Sequence, residues 1–124
     1  MFRGIQAVFY FVPDVKAAAE WYSQLLDQPV KHYFELEGKI RGALIQVGEV
    51  ELFLHLADDK MQPGHAGQVA YWRVDEMKDA IERAQQYGAR LYRGPIRIEN
   101  NQAICQMWDQ FGNLFGMQGN TSQL

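Results

Sequence analysis

The second half of this chain repeats the first, and that repeat limits the available folds more than any other feature. At an offset of 62 residues Gln6 meets Gln68, Val12 meets Val74, Lys16 meets Lys78, Ala18 meets Ala80, Glu20 meets Glu82 and Gln24 meets Gln86. Phe9 meets Tyr71 and Tyr10 meets Trp72 in the same stretch. A unit present twice is too few for a solenoid, which stacks many repeats. Two modules side by side, each needing a twin to cover its sheet edge, is the arrangement this pattern favours.

Each module reads as a strand, a helix and three strands. Residues 5–12, IQAVFYFV, are aromatic and β-branched, as strands are. Asp14 stands where a helix N-cap belongs, and Val15, Ala18, Ala19, Tyr22, Leu25 and Leu26 follow at helical spacing until Pro29. Strands are predicted over 30–36, 41–47 and 50–56, with turns at Gly38 and Gly48-Glu49. Ala57–Gly67 reads as a linker. The pattern then restarts with a strand over 68–74 and a helix from Asp75 or Glu76. That helix has an apolar stripe of Met77, Ala80, Ile81, Ala84 and Tyr87, with Gly88 at its C′ position. Strands over 89–98, 102–108 and 113–118 complete it, and Gly119–Leu124 is expected to fray. The prediction is a single α+β domain over 1–124, made of two βαβββ modules at about 4–57 and 67–119.

With 48% hydrophobic residues the chain can build a core without disulfides. Cys105 is the only cysteine, which fits a reducing compartment, and a cytoplasmic location is expected. A net charge of −3, with no basic stripe, argues against nucleic acid. No apolar run approaches the roughly 20 residues that span a bilayer, so no membrane partner is expected.

Phe11-Val12-Pro13-Asp14-Val15-Lys16 opens the first helix, and Trp108-Asp109-Gln110-Phe111-Gly112-Asn113-Leu114-Phe115-Gly116-Met117 lies near the end. With the βαβββ repeat, these segments resemble the vicinal oxygen chelate superfamily of glyoxalases, bleomycin resistance proteins and dioxygenases. Gln110 stands where that family's turn commonly has proline. The resemblance implies a curled mixed sheet with helices outside and a small-molecule pocket on its inner face. Metal-dependent members place one ligand on the first and last strand of each module. The matching positions here are Ala7, Glu51, Val69 and Gly116, of which only Glu51 has a donor atom. A one-residue slip would bring in Gln6 and Gln68, still a poor set for a transition metal. No metal or other cofactor is therefore expected.

Alternation puts Ala7, Phe9 and Phe11 on one strand face, Glu51, Phe53 and His55 on another, and Val69, Tyr71 and Arg73 on a third. The resemblance makes these the pocket faces. Ligand-binding candidates are Phe9, Glu51, Phe53, His55, Tyr71, Arg73 and Trp108, with the aromatic rings converging on one cavity. Phe9, Phe53 and Tyr71 could instead be plain core. If the faces are inverted, Val8, Tyr10, Leu52, Leu54 and Trp72 line the pocket. Glu51 is either a desolvated general base or an exposed residue at a strand end. His55 suits a rim, His32 and His65 the surface. Arg73 could pair with Glu51 or with an anionic ligand. Trp108 could stack on a flat ligand or plug the sheet end, and Cys105 is expected to be a buried, inert thiol.

Three functions remain open. One is a metal-free binder of an aromatic or amphipathic small molecule. Another is a lyase, isomerase or dioxygenase-like enzyme of the same superfamily using Glu51. The last, a dimeric ferredoxin-like barrel, is disfavoured by the three-strand run after each helix. A homodimer is expected, because sheet edges need covering.

Overall fold

The structure, a computed structural model, describes residues 1–122. The chain forms two compact units, Met1–Pro63 and a second from Gly64 onward. The first contains β1 (Ala7–Val12), α1 (Val15–Leu26), β2 (Val30–Leu36), β3 (Lys39–Val47) and β4 (Val50–Leu56). Its sheet has the order β1-β4-β3-β2. The β1–β4 pair is parallel and the other two pairs are antiparallel. The second unit contains β5 (Tyr71–Glu76), α2 (Met77–Gln86), β6 (Arg90–Arg97), β7 (Gln102–Trp108) and β8 (Leu114–Asn120). Its order, β5-β8-β7-β6, is the same plan, again with the first pair parallel. The α+β class and the βαβββ plan stand as expected from the repeat.

Local chemistry explains the boundaries. Asp14 has extended backbone geometry and accepts a hydrogen bond from Ala17 N, the N-cap arrangement. Helix α1 ends on Asp27 at φ 52, not on a glycine. The Asp27 N–H returns to Gln24 O and the Gln28 N–H to Ser23 O, so the last carbonyls are satisfied before Pro29. At Glu37-Gly38 both φ values are positive, 55 and 76, as a two-residue hairpin turn between twisted strands requires. Asn100 and Asn101, at 60 and 58, do the same between β6 and β7, where asparagine tolerates the left-handed region.

Each helix covers one face of its own sheet. Under α1 lie Tyr10, Val12, Ala43, Ile45, Leu52 and Leu54, packed against Val15, Ala18, Ala19 and Tyr22. Trp21, outside the predicted stripe, is also buried. Under α2 lie Ala103, Cys105, Met107, Phe115 and Met117, against Met77, Ile81 and Ala84.

Several expectations need correction. β1 starts at Ala7, leaving Ile5 exposed, and β3 starts at Lys39. β5 starts at Tyr71, not at residue 68, because its ladder with β8 opens only where the Gly116 N–H reaches Ala70 O. The tail does not fray from Gly119. Gly119 and Asn120 belong to β8, and buried Thr121 donates both its N–H and its hydroxyl to Asn101 O. Residues 123 and 124 of the expected tail lie outside the described residues. No helix among the described residues is long and apolar enough to cross a membrane.

Candidate functional site

Helix burial leaves the opposite face of each sheet to be explained. In the first unit the parallel register pairs Ala7 with Glu51, Phe9 with Phe53, and Phe11 with His55. All six alternate with residues that pack under α1, so they face away from it. The Phe9 and Phe53 rings stack at 4.7 Å and 11°. Phe34 extends the stack, with its ring 5.1 Å from Phe53, and His32 meets Phe34 edge-on at 4.4 Å. Phe9 remains 46% exposed, which argues against a core role. Gly42 is what seats Phe53: a Cβ there would stand 2.8 Å from the ring.

Polar groups border this aromatic layer. Glu51 is half-buried, and its carboxylate accepts from Gln6 Nε2 at 3.0 Å. Across the sheet it faces Gln46, so two amides flank it where apolar neighbours were expected. His55 Nδ1 lies 2.9 Å from Leu56 O. A carbonyl can only accept, so Nδ1 carries the proton and Nε2 is left as an acceptor in the neutral ring. The His55 ring sits 5.4 Å from that of Phe11.

The second unit is built differently. Tyr71 pairs with Gly116 on β8, and Gly116 pairs with Gln106 on β7. With no side chain at Gly116, the Tyr71 ring lies over it; a Cβ there would meet the ring at 2.4 Å. Leaning this way, the phenol oxygen accepts from Gln106 Nε2 at 2.9 Å. Tyr71 is 40% exposed and is therefore not core. Arg73 is exposed two residues further along the same face. Trp108 is half-buried, with His65 5.1 Å and Tyr92 5.4 Å from its ring. His32 and His65 are exposed, as expected, yet both join ring clusters. Cys105 is buried, and desolvation pushes its thiol up to about 11, which leaves it protonated and unreactive at neutral pH.

Phe34, Tyr92, Gln106 and Arg93 were not singled out in the sequence, and Gln6 was weighed only as a metal donor, not as a partner of Glu51. For Phe34 the two-residue Glu37-Gly38 turn misleads: its register, Leu36 with Lys39 and Glu35 with Ile40, would set Phe34 against Arg41, and a register shift between Phe34 and Glu35 puts it opposite Gly42 instead. No signal existed for Gln106, which meets Tyr71 only because Gly116 lies between them.

The Trp-Asp-Gln-Phe-Gly-Asn segment has a structural task. Buried Asp109 accepts from Phe111 N at 2.7 Å and Asn113 N at 2.9 Å, which closes the loop into β8. Asn113 Oδ1 accepts from Gly64 N, and Leu114 N donates to Gly64 O. Residues 4–117 match the family model described as Glyoxalase/Bleomycin resistance protein/Dioxygenase superfamily. The chain belongs to that superfamily. No curated protein matches it in sequence. Solved superfamily-like structures match in fold. TnmS3, an antibiotic binding protein from Streptomyces sp. CB03234, has 17% identity and a TM-score of 0.75, with 97% of this chain and 98% of that one covered. A fosfomycin resistance protein, FosX, from Listeria monocytogenes has 12% identity and a TM-score of 0.77, with 99% and 96% covered. That FosX structure is a complex with Mn(II) and 1S,2S-dihydroxypropylphosphonic acid. TioX from Micromonospora sp. ML1 has 14% identity and a TM-score of 0.73, with 95% and 99% covered.

The superfamily's metal can be tested against these residues, and they do not fit it. Ala7, Val69 and Gly116 offer no donor. The Tyr71 ring occupies the space a side chain at Gly116 would need. Glu51 is already engaged by Gln6. Among the described residues no three His, Cys, Asp or Glu side chains cluster closely enough to hold an ion.

Proposed function

We propose that this superfamily member is a metal-free small-molecule-binding protein whose ligand is flat and aromatic or amphipathic. The observation that carries the reading is the Phe9–Phe53–Phe34 stack, an exposed aromatic layer on the sheet face turned away from its helix. Such a layer has large apolar area and low conformational freedom, and each added offset ring contact contributes about 1 kcal/mol. The ligand-contact candidates are Phe9, Glu51, Phe53 and His55 on the first unit's own exposed face, and, taken by itself, the second unit's face offers Tyr71, Arg73 and Trp108. The antibiotic-binding description of TnmS3 supports this class of role. The protein works as a cytoplasmic homodimer, and sedimentation giving only a 14.3 kDa species would refute the dimer.

Calorimetric titration with a panel of neutral flat aromatics tests the reading. Phe9→Ala and Phe53→Ala are each expected to weaken the best binder about tenfold, equivalent to about 1.4 kcal/mol. No binder in the panel, or binding indifferent to both substitutions, would overturn it. The enzymatic alternative is favoured by one contact, the Gln6 amide that fixes the Glu51 carboxylate on the ring-bearing face. Under it, Glu51→Gln removes turnover while leaving binding intact.

A further inference from the structure

We infer that the second unit's sheet face holds a subsite for a small oxyanion, a carboxylate in the first instance, carried by an aromatic ligand. This deepens the small-molecule reading and rests on it. One row crosses the second sheet in register: Tyr71, Gly116, Gln106 and Arg93. Gly116 lets Tyr71 lean until its oxygen accepts from Gln106 Nε2. A phenol oxygen that accepts in this way keeps its own proton to donate, and the Gln106 contact fixes where it is offered. Arg93 follows in the row. It is exposed, and no carboxylate among the described residues pairs with it. Its fork of donors suits a two-oxygen anion.

A hollow of about 120 Å³ lies among Tyr71, Arg93, Gln106, Ile96, Ile104 and Cys105. Its size decides what it takes. Water occupies about 30 Å³ per molecule in the liquid, so the hollow has room for one functional group. Whole ligands fill roughly 300–1,000 Å³. Ile96 and Ile104 face each other across β6 and β7 and give it an apolar wall. No acidic side chain lines it, so no fixed negative charge in the hollow repels an anion.

The test uses two shape-matched probes, 2-naphthoate and 2-naphthamide, titrated into the full chain by calorimetry. A parallel spectrum follows the Gln106 side-chain amide. Naphthoate is expected to bind about tenfold tighter than naphthamide, and only naphthoate should shift the Gln106 signal. Arg93→Gln should erase the preference, and Tyr71→Phe should cut it about threefold. Equal affinity for both probes, or a preference that survives Arg93→Gln, overturns the subsite and leaves the aromatic reading standing. Binding of neither probe overturns both.

Discussion

The row through Phe9 in the first sheet and the row through Tyr71 in the second are counterparts, and they differ in chemistry. The first reads Phe9, Phe53, Leu44 and His32. The second reads Tyr71, Gly116, Gln106 and Arg93. One row stacks ring on ring over a buried leucine. The other removes a side chain so that a ring can fold down and meet an amide, with a guanidinium beyond. Both use glycine to seat a ring, Gly42 under Phe53 and Gly116 under Tyr71. The lesson is that a repeated backbone plan can divide its work: one copy supplies apolar stacking area, the other directed donors and positive charge.

The largest test of that contrast lies in the loops between the last two strands. The first unit closes with the two-residue Gly48-Glu49 turn, the second with the Asp109–Asn113 loop held by a buried carboxylate. Asp109→Ala strips two backbone N–H groups of a charged acceptor and should cost about 3 kcal/mol. Glu49→Ala, on an exposed turn, should stay within about 0.5 kcal/mol. Urea denaturation measures both, and equal costs would deny the difference.

Next come the two glycines. Gly116→Ala drives a methyl toward three Tyr71 ring atoms, all under 3.0 Å, and should cost about 2 kcal/mol. It should also break the Tyr71–Gln106 hydrogen bond. Gly42→Ala meets one Phe53 ring atom at 2.8 Å and should cost about 1 kcal/mol. A reversed order would mean that Phe53 is held more firmly than Tyr71.

The helix starts give the smallest difference. Asp14 caps α1 through Ala17 N, so Asp14→Ala should cost about 1 kcal/mol. Glu76 begins α2 without a side-chain cap; its Oε1 accepts from Ser122 and its buried Oε2 has no partner. Glu76→Ala should therefore be close to neutral, within about 0.5 kcal/mol. Thermal melts of both variants decide the point.

Much of this was legible in the sequence. The repeat, the period-2 strands and the 3.6-period helices placed every element. Alternation correctly sent Phe9, Phe53 and Tyr71 to the faces away from the helices, while Tyr10, Leu52 and Leu54 went under α1. What alternation cannot supply is contact between strands distant in sequence. Glu51 looked isolated among apolar neighbours until the fold set Gln6 and Gln46 beside it. Trp108 gained His65 and Tyr92 in the same way. Polar composition suggests a fraying tail, whereas Thr121 is fixed by a single carbonyl, that of Asn101, which composition does not reveal.

The central claim is that aromatic contact, not a metal ion, holds the ligand. The most direct measurement is the dissociation constant of 2-naphthoate in excess EDTA, repeated with Mn(II) supplied. The account expects the same value under both conditions, with the loss on Phe53→Ala equal in each. Binding that appears only when Mn(II) is present would contradict it.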